Sequence, residues 1–319
     1  MPKIAIVDKM HQDGINLLKN NPKFECEVIE DISKNNLIAK LPEFDGITLR
    51  RGKVDADILA KCKKLKVISR HGVGFDNVDT KFLKKNNIKL LVTATTTSVS
   101  PAEHIMFMII NISKGKDFFD KAVRNGKFES IMHMNHQNFE LSNKKILIIG
   151  FGRIGRKLIK RCLGFEMKVY AYDPYVKKNE IESLGGIKVE NLNDGLKEAD
   201  IISLSVPLTA ETKNMINFDK IKIMKKNAVV INTSRGGVVN EKDLNDALNN
   251  KIIYGAGIDV FENEPPDNNN PLLKNKKVIL SPHAATFTQE CLSKMSIETA
   301  QNLIDFFEDR VSKNSIVDI

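Results

Sequence analysis

The chain is poor in cysteine, and what it has carries no recognisable chemistry: Cys26, Cys62, Cys162 and Cys291 stand far apart, with no CxxC pair and no histidines at metal-ligand spacing. That pattern speaks against a disulfide framework and against a zinc site, so free buried thiols and no metal are expected. Long apolar runs are also missing. The longest, "IMFMII", is far too short to cross a bilayer, and "MPKIAIVDKMHQDG" sets charge where a secretory peptide needs an unbroken apolar stretch. A cytoplasmic protein without membrane contact is expected. No helix-turn-helix, zinc-finger or other nucleic-acid motif occurs, and the lysines behind the formal charge of +9 are spread along the chain. The excess charge reads as a solvated surface that attracts small anionic substrates, with no nucleic acid as partner.

What is present is an α/β pattern. The 319 residues, 42% hydrophobic and 28% charged, are enough for two globular domains, each with its own core. Short Ile/Val-rich runs alternate with helix-length amphipathic segments: "KIAIV", "CEVIE", "GITLR", "LKVISR" and "IKLLV" precede residue 100. This is the signature of parallel strands joined by crossover helices. At "VTATTTSVSPAEH" small and hydroxyl residues interrupt it, a candidate hinge where Ser100 is expected to cap the helix "AEHIMFMIINISKG" with Pro101 at its first position. A second series follows, "KKILIIG", "MKVYAYD", "IKVE", "ADIISLSV", "NAVVINTS", "IIYGAGIDV" and "KVILSPH". The count predicts two doubly wound parallel sheets, closed by the amphipathic helix "TQECLSKMSIETAQNLIDFFED".

"KKILIIGFGRIGRKLI" runs from strand through Gly150, Gly152 and Gly155 into helix, and the next strand, "VYAYD", ends on Asp173. Glycines at these spacings permit a tight turn and close approach of a pyrophosphate to unpaired N–H groups at a helix N-terminus. A bare GxGxxG says little; strand, helix and an acid ~20 residues on together make the dinucleotide fingerprint. Arg153 and Ile154 complete the turn. Asp173 suits the hydroxyls of an adenosine ribose and repels a 2′-phosphate, which favours NAD over NADP; Lys177 and Lys178 close by weaken that preference.

Three polar residues follow strands of the second series: Arg235 after "VVINTS", Glu264 after "AGIDVFEN" and His283 after "VILSP". Ligands of open parallel sheets sit beyond the carboxyl ends of the strands. Hydride transfer to a 2-oxo acid needs a cation to grip carboxylate and carbonyl oxygens, an acid to protonate the developing alkoxide, and a carboxylate to orient that acid. Taken alone, each has a bland reading: a structural ion pair, a loop carboxylate, a strand-end histidine. Beside a dinucleotide turn, the catalytic set is the better account. Asp259, also at a strand end, suits either the nicotinamide carboxamide or a turn cap. His71 precedes a glycine turn and reads as structural.

The stretches "GFGRIGRKL", "VPLTAETKNMIN", "NTSRGGVVNEKDLNDAL", "GAGIDVFENEPP", "SPHAA", "RHGVGFDNVD" and "SVSPAEH" together resemble the D-isomer-specific 2-hydroxyacid dehydrogenases over nearly the whole chain. The resemblance implies an NAD-dependent oxidoreductase, with a Rossmann NAD domain over residues 99–286 inserted into a flavodoxin-like substrate domain of residues 1–98 and 287–319. Arg235, Glu264 and His283 fall on the family's catalytic positions, and Gly150, Gly152, Gly155, Asp173 and Asp259 on cofactor positions. Thr233 falls beside the nicotinamide, and Val73 and Gly74 fall where backbone N–H groups hold the substrate carboxylate. A homodimer with the post-hinge helix at its interface is implied as well. Ser205 and Thr97 depart from the histidine and asparagine common there, which bears on the sub-family. Arg50, with Arg51 and Lys53, offers charge for a substrate phosphate and makes 3-phosphoglycerate the leading candidate, in a short form with no amino-acid-sensing module. The alternatives are a glyoxylate or hydroxypyruvate reductase and, in another class, an NADH-sensing corepressor-like binding protein.

Overall fold

The computed structural model describes all 319 residues and divides into two compact units, Met1–Thr97 with Thr286–Ile319, and Ser98–Ala285. The first unit holds five parallel strands, β1 (Lys3–Val7), β2 (Glu25–Ile29), β3 (Gly46–Leu49), β4 (Val67–Arg70) and β5 (Lys89–Val92), in the order β2-β1-β3-β4-β5. That is the flavodoxin-like doubly wound order. Alternate residues of β1 serve opposite faces. Ala5 and Val7 pack with Leu37, Ile58 and Leu83. Ile4 and Ile6 pack with Leu18, Leu303 and Ile304. The closing helix Gln289–Phe307 therefore returns to cover the N-terminal sheet beside the helix Gln12–Lys19. One element had no signal in the sequence: residues 315–317 run antiparallel along β5, with Val92 N–H donating to Ser315 O (2.8 Å) and Val317 N–H to Leu90 O (2.9 Å).

The second unit holds β6 (Lys145–Ile149), β7 (Lys168–Tyr172), β8 (Ile187–Lys188), β9 (Ile201–Leu204), β10 (Val229–Asn232), β11 (Gly255–Ile258) and β12 (Val278–Leu280), all parallel, in the order β12-β11-β10-β9-β6-β7-β8. Strand order reverses at β6, which lies between β9 and β7, so the switch-point crevice opens beyond the carboxyl ends of β6 and β9. The near-continuous apolar run of β6 follows from burial on both faces. Ile146 and Ile148 meet Ile105, Ile109 and Leu158, whereas Leu147 and Ile149 join the cluster with Ile221, Leu244 and Leu248. Each fully buried side chain of this kind contributes about 1.5–3 kcal/mol.

The expected cap at Ser100 is corrected. The helix Val99–Lys114 begins two residues earlier, Ser98 occupies the cap position without a side-chain bond, and Ser100 Oγ instead donates to Ala285 O at 2.6 Å. Pro101 is tolerated there because N–H groups of a first turn lack helical partners in any case.

Candidate active site

The turn after β6 is built as a phosphate cradle. Gly150 has φ +89°, and a Cβ there would sit 2.4 Å from Ser205 O, so this position both needs the left-handed region and has no room for a side chain. Gly152 caps the helix Arg153–Gly164, and a Cβ on it would meet nothing within 4 Å. Open space directly over unpaired helix N–H groups is what a pyrophosphate requires. Arg153 and Ile154 form the first helical turn, and Gly155 packs against Gly150 O. Asp173 is fixed rather than mobile: Oδ2 accepts from Phe151 N–H at 2.8 Å, and Oδ1 accepts from Tyr175 and Val176 N–H at 2.9 and 3.2 Å. The acid at the end of β7 is thereby tied to the glycine turn. Beyond β9 and β10, Ser205 Oγ and Thr233 Oγ1 are buried without a hydrogen-bond partner. Buried hydroxyls normally find one, and together with the open cradle at Gly152 they fit a dinucleotide.

Three loops follow β10, β11 and β12. Buried Asn232 shapes the first: its Nδ2 donates to Arg235 O (3.0 Å), and its Oδ1 accepts from Ser234 N–H (3.1 Å) and Ser234 Oγ (2.8 Å). Arg235 Nη1 donates to Ser234 O at 2.7 Å. A Cβ at Gly236 would lie 1.8 Å from Phe261 O, so only glycine lets the Arg235 loop press against the loop that carries Glu264. Glu264 Oε1 accepts from Phe261 N–H (3.2 Å), and its Oε2 meets His283 Nδ1 at 2.7 Å. With Nδ1 engaged, Nε2 is the imidazole nitrogen left for a ligand. His283 itself has φ +52°, an unusual conformation for a non-glycine residue. Asp259 is fully buried, its carboxylate accepting from Ala284 and Ala285 N–H at 2.7 and 3.1 Å. It thus acts as a turn cap, one of the two readings open for it. Burial alone would raise its pKa, but bonds from His104, Ser281 and Ala284 outweigh that and hold it below the usual carboxylate range.

Arg50, Val73 and Gly74 lie in the other unit, after β3 and β4. Arg50 Nη1 donates to Lys9 O (2.8 Å), with the guanidinium 5.9 Å from the Phe287 ring centre. Arg51 is engaged elsewhere, in a bidentate pair with buried Asp8 at 2.6 and 2.9 Å. Arg70, not singled out in the sequence, donates from Nε to Gly74 O (2.8 Å) and from Nη1 to the Leu49 and Arg50 carbonyls, so it clips the 72–74 turn to the end of β3. His71 is buried, and burial, reinforced by the Arg50 and Arg70 cations, pushes its pKa down to about 4.

A reversing parallel sheet with a glycine turn and a fixed acid at the switch point defines a dinucleotide-binding α/β protein. Residues 106–285 match the model of the D-isomer specific 2-hydroxyacid dehydrogenase, NAD binding domain. The chain is 35% identical over 317 residues to D-3-phosphoglycerate dehydrogenase of Methanocaldococcus jannaschii, covering 99% of this chain and 59% of that one. It is 36% identical to glyoxylate reductase of Thermococcus litoralis, covering 99% and 96%. Among solved structures, D-lactate dehydrogenase of Aquifex aeolicus, complexed with NAD and lactic acid, superposes with a TM-score of 0.89 at 29% identity, covering 98% of each chain. The chain therefore belongs to the D-isomer-specific 2-hydroxyacid dehydrogenase family, with an NAD-binding domain in its second unit. It spans about three-fifths of the length of the phosphoglycerate dehydrogenase it matches (59%).

Proposed function

We propose that the protein interconverts a small D-2-hydroxy acid and its 2-oxo acid, with 3-phosphoglycerate as the leading substrate. The observation that carries this reading is the 2.7 Å contact between His283 Nδ1 and Glu264 Oε2, in the same unit as the glycine cradle. Bound NAD supplies the hydride acceptor or donor. Gly152 and the first turn of Arg153–Gly164 hold the pyrophosphate, Asp173 accepts from the ribose hydroxyls, and Thr233 lines the nicotinamide end, with Asp259 shaping the loop after β12 through its bonds to Ala284 and Ala285. Arg235 grips substrate carboxylate and carbonyl oxygens. His283 delivers or takes the alkoxide proton through Nε2, oriented by Glu264 at Nδ1. The unit Met1–Thr97 with Thr286–Ile319 is the substrate domain, where Val73 and Gly74 N–H groups bind the carboxylate and Arg50 faces the substrate's tail.

A second reading, an unphosphorylated substrate such as glyoxylate or hydroxypyruvate, is favoured by the pairing of Arg51 with Asp8. That pair removes one of the cations a phosphate dianion would use and leaves Arg50 and Lys53. Purified protein with NAD(H) should turn over at least one of 3-phosphohydroxypyruvate, hydroxypyruvate, glyoxylate and pyruvate; cofactor binding with no turnover on any of them sinks the catalytic reading. A homodimer in the cytoplasm belongs to the same proposal. No helix is long and apolar enough to cross a membrane, and large apolar side chains stand exposed along residues 107–134.

A further inference from the structure

The loop that presents His283 is held from behind by a partly buried chain of hydrogen bonds that begins on the helix Val99–Lys114 and ends on the fully buried Asp259. His104, on that helix, places Nε2 2.9 Å from Ser281 Oγ and 3.5 Å from Asp259 Oδ1. Ser281 Oγ lies 2.5 Å from Asp259 Oδ1. A serine hydroxyl has one hydrogen. An ionised, fully buried Asp259 accepts that hydrogen, so the contact from His104 must be a donated one, from Nε2–H to Ser281 Oγ. The direction of the chain is thereby fixed: His104 to Ser281 to Asp259.

At its far end Asp259 takes three consecutive N–H groups. His283 N–H donates to the Asp259 carbonyl at 2.7 Å, Ala284 N–H to Oδ1 at 2.7 Å and Ala285 N–H to Oδ2 at 3.1 Å. Three successive donors converging on one residue hold the backbone in a curl that His283, at φ +52°, would not adopt unaided. The same helix grips the end of the curl, because Ser100 Oγ donates to Ala285 O at 2.6 Å. Polarisation along such a chain strengthens its members, and in a buried site an unmet end is costly.

We propose that His104 is a positioning residue for His283, acting through Ser281 and Asp259 to set the angle at which the imidazole meets Glu264 and substrate. The inference rests on the reading of His283 as the proton-transfer group. Chemistry of this kind is sensitive to misplacement on the ångström scale, so loss of the donor at 104 lowers turnover without touching the phosphate cradle.

The test uses the full chain with NADH and whichever 2-oxo acid it reduces. His104→Leu, which fills the space but cannot donate, is expected to lower kcat by about 10- to 100-fold while the Kd for NADH stays within about twofold. His104→Gln, whose amide can donate to Ser281, is expected to restore most of that loss. Ser281→Ala breaks the chain with little change in volume and should lower kcat in the same direction, which keeps the test available if His104→Leu folds poorly. Undiminished kcat in both His104→Leu and Ser281→Ala, or an equal fall of kcat and NADH affinity in His104→Leu and His104→Gln alike, overturns the proposal. His283→Ala separates the two claims. If it keeps full turnover, the reading of His283 fails and the inference with it; if it loses turnover while His104→Leu and Ser281→Ala do not, the inference alone fails.

Discussion

Glu264 divides its carboxylate, one oxygen on the Phe261 N–H of its own loop and the other on His283 Nδ1, so the imidazole is oriented by a group that is itself held in place. If Nε2 handles the proton, His283→Ala should lower kcat by about 10²- to 10⁴-fold and leave the Kd for NADH unchanged. A normal rate measured by NADH absorbance refutes the assignment. His71 makes a different kind of prediction. Burial lowers its pKa to about 4 from the ordinary 6.5 of a histidine, so the fold favours the neutral ring. A depressed folded value means stability that is complete above about pH 6.5 and declines as pH falls toward 4. The loss should reach about 2 kcal/mol near pH 5. Urea titrations of His71→Gln and the parent at neutral pH and near pH 5 should show the parent's slope with pH shrinking in the variant; equal slopes refute it.

At the scale of elements, the glycine turn separates two demands that one spacing encodes. Gly150 answers to conformation and to the Ser205 carbonyl, and Gly152 to space for a ligand. Gly150→Ala should therefore destabilise the protein, by about 1–2 kcal/mol for the left-handed conformation and more for the clash. Gly152→Ala should leave the melting temperature nearly unchanged and weaken NADH binding. Calorimetry and NADH titration of the two variants read this contrast, and a reversed pattern would overturn it. The strands themselves were legible because ladder burial imposes its pattern within a few residues: "ILII" of β6 and "VVI" of β10 are apolar throughout since both faces of their sheet are covered. The start of the helix at Val99 was not legible, because Ser100 is drawn to Ala285, a partner remote in sequence.

For the whole molecule, the exposed apolar side chains are concentrated. Phe118, Phe128, Met132 and Met134, each at least half exposed, belong to or flank two short helices after residue 115. A surface of this kind marks an association site, which supports the proposed homodimer. Replacing Phe128 and Met132 together by Glu should convert a dimer into a monomer in sedimentation velocity; an unchanged sedimentation coefficient would argue that the contact lies elsewhere.

The sequence by itself determined the two doubly wound sheets, the phosphate turn with its acid, and the residue types at the carboxyl ends of β10 to β12. Periodicity, glycine spacing and strand endings are local properties, written where they act. Tertiary structure alone decided the pairings. Arg51 turned to Asp8 rather than standing ready for a ligand, residues 315–317 added an antiparallel edge to a parallel sheet, and Asp259 gathered Ser281 and the backbone of Ala284 and Ala285. The physical reason is that a buried charge or an open sheet edge must be satisfied by whatever the fold brings within about 3 Å, and which group that is depends on how the chain packs.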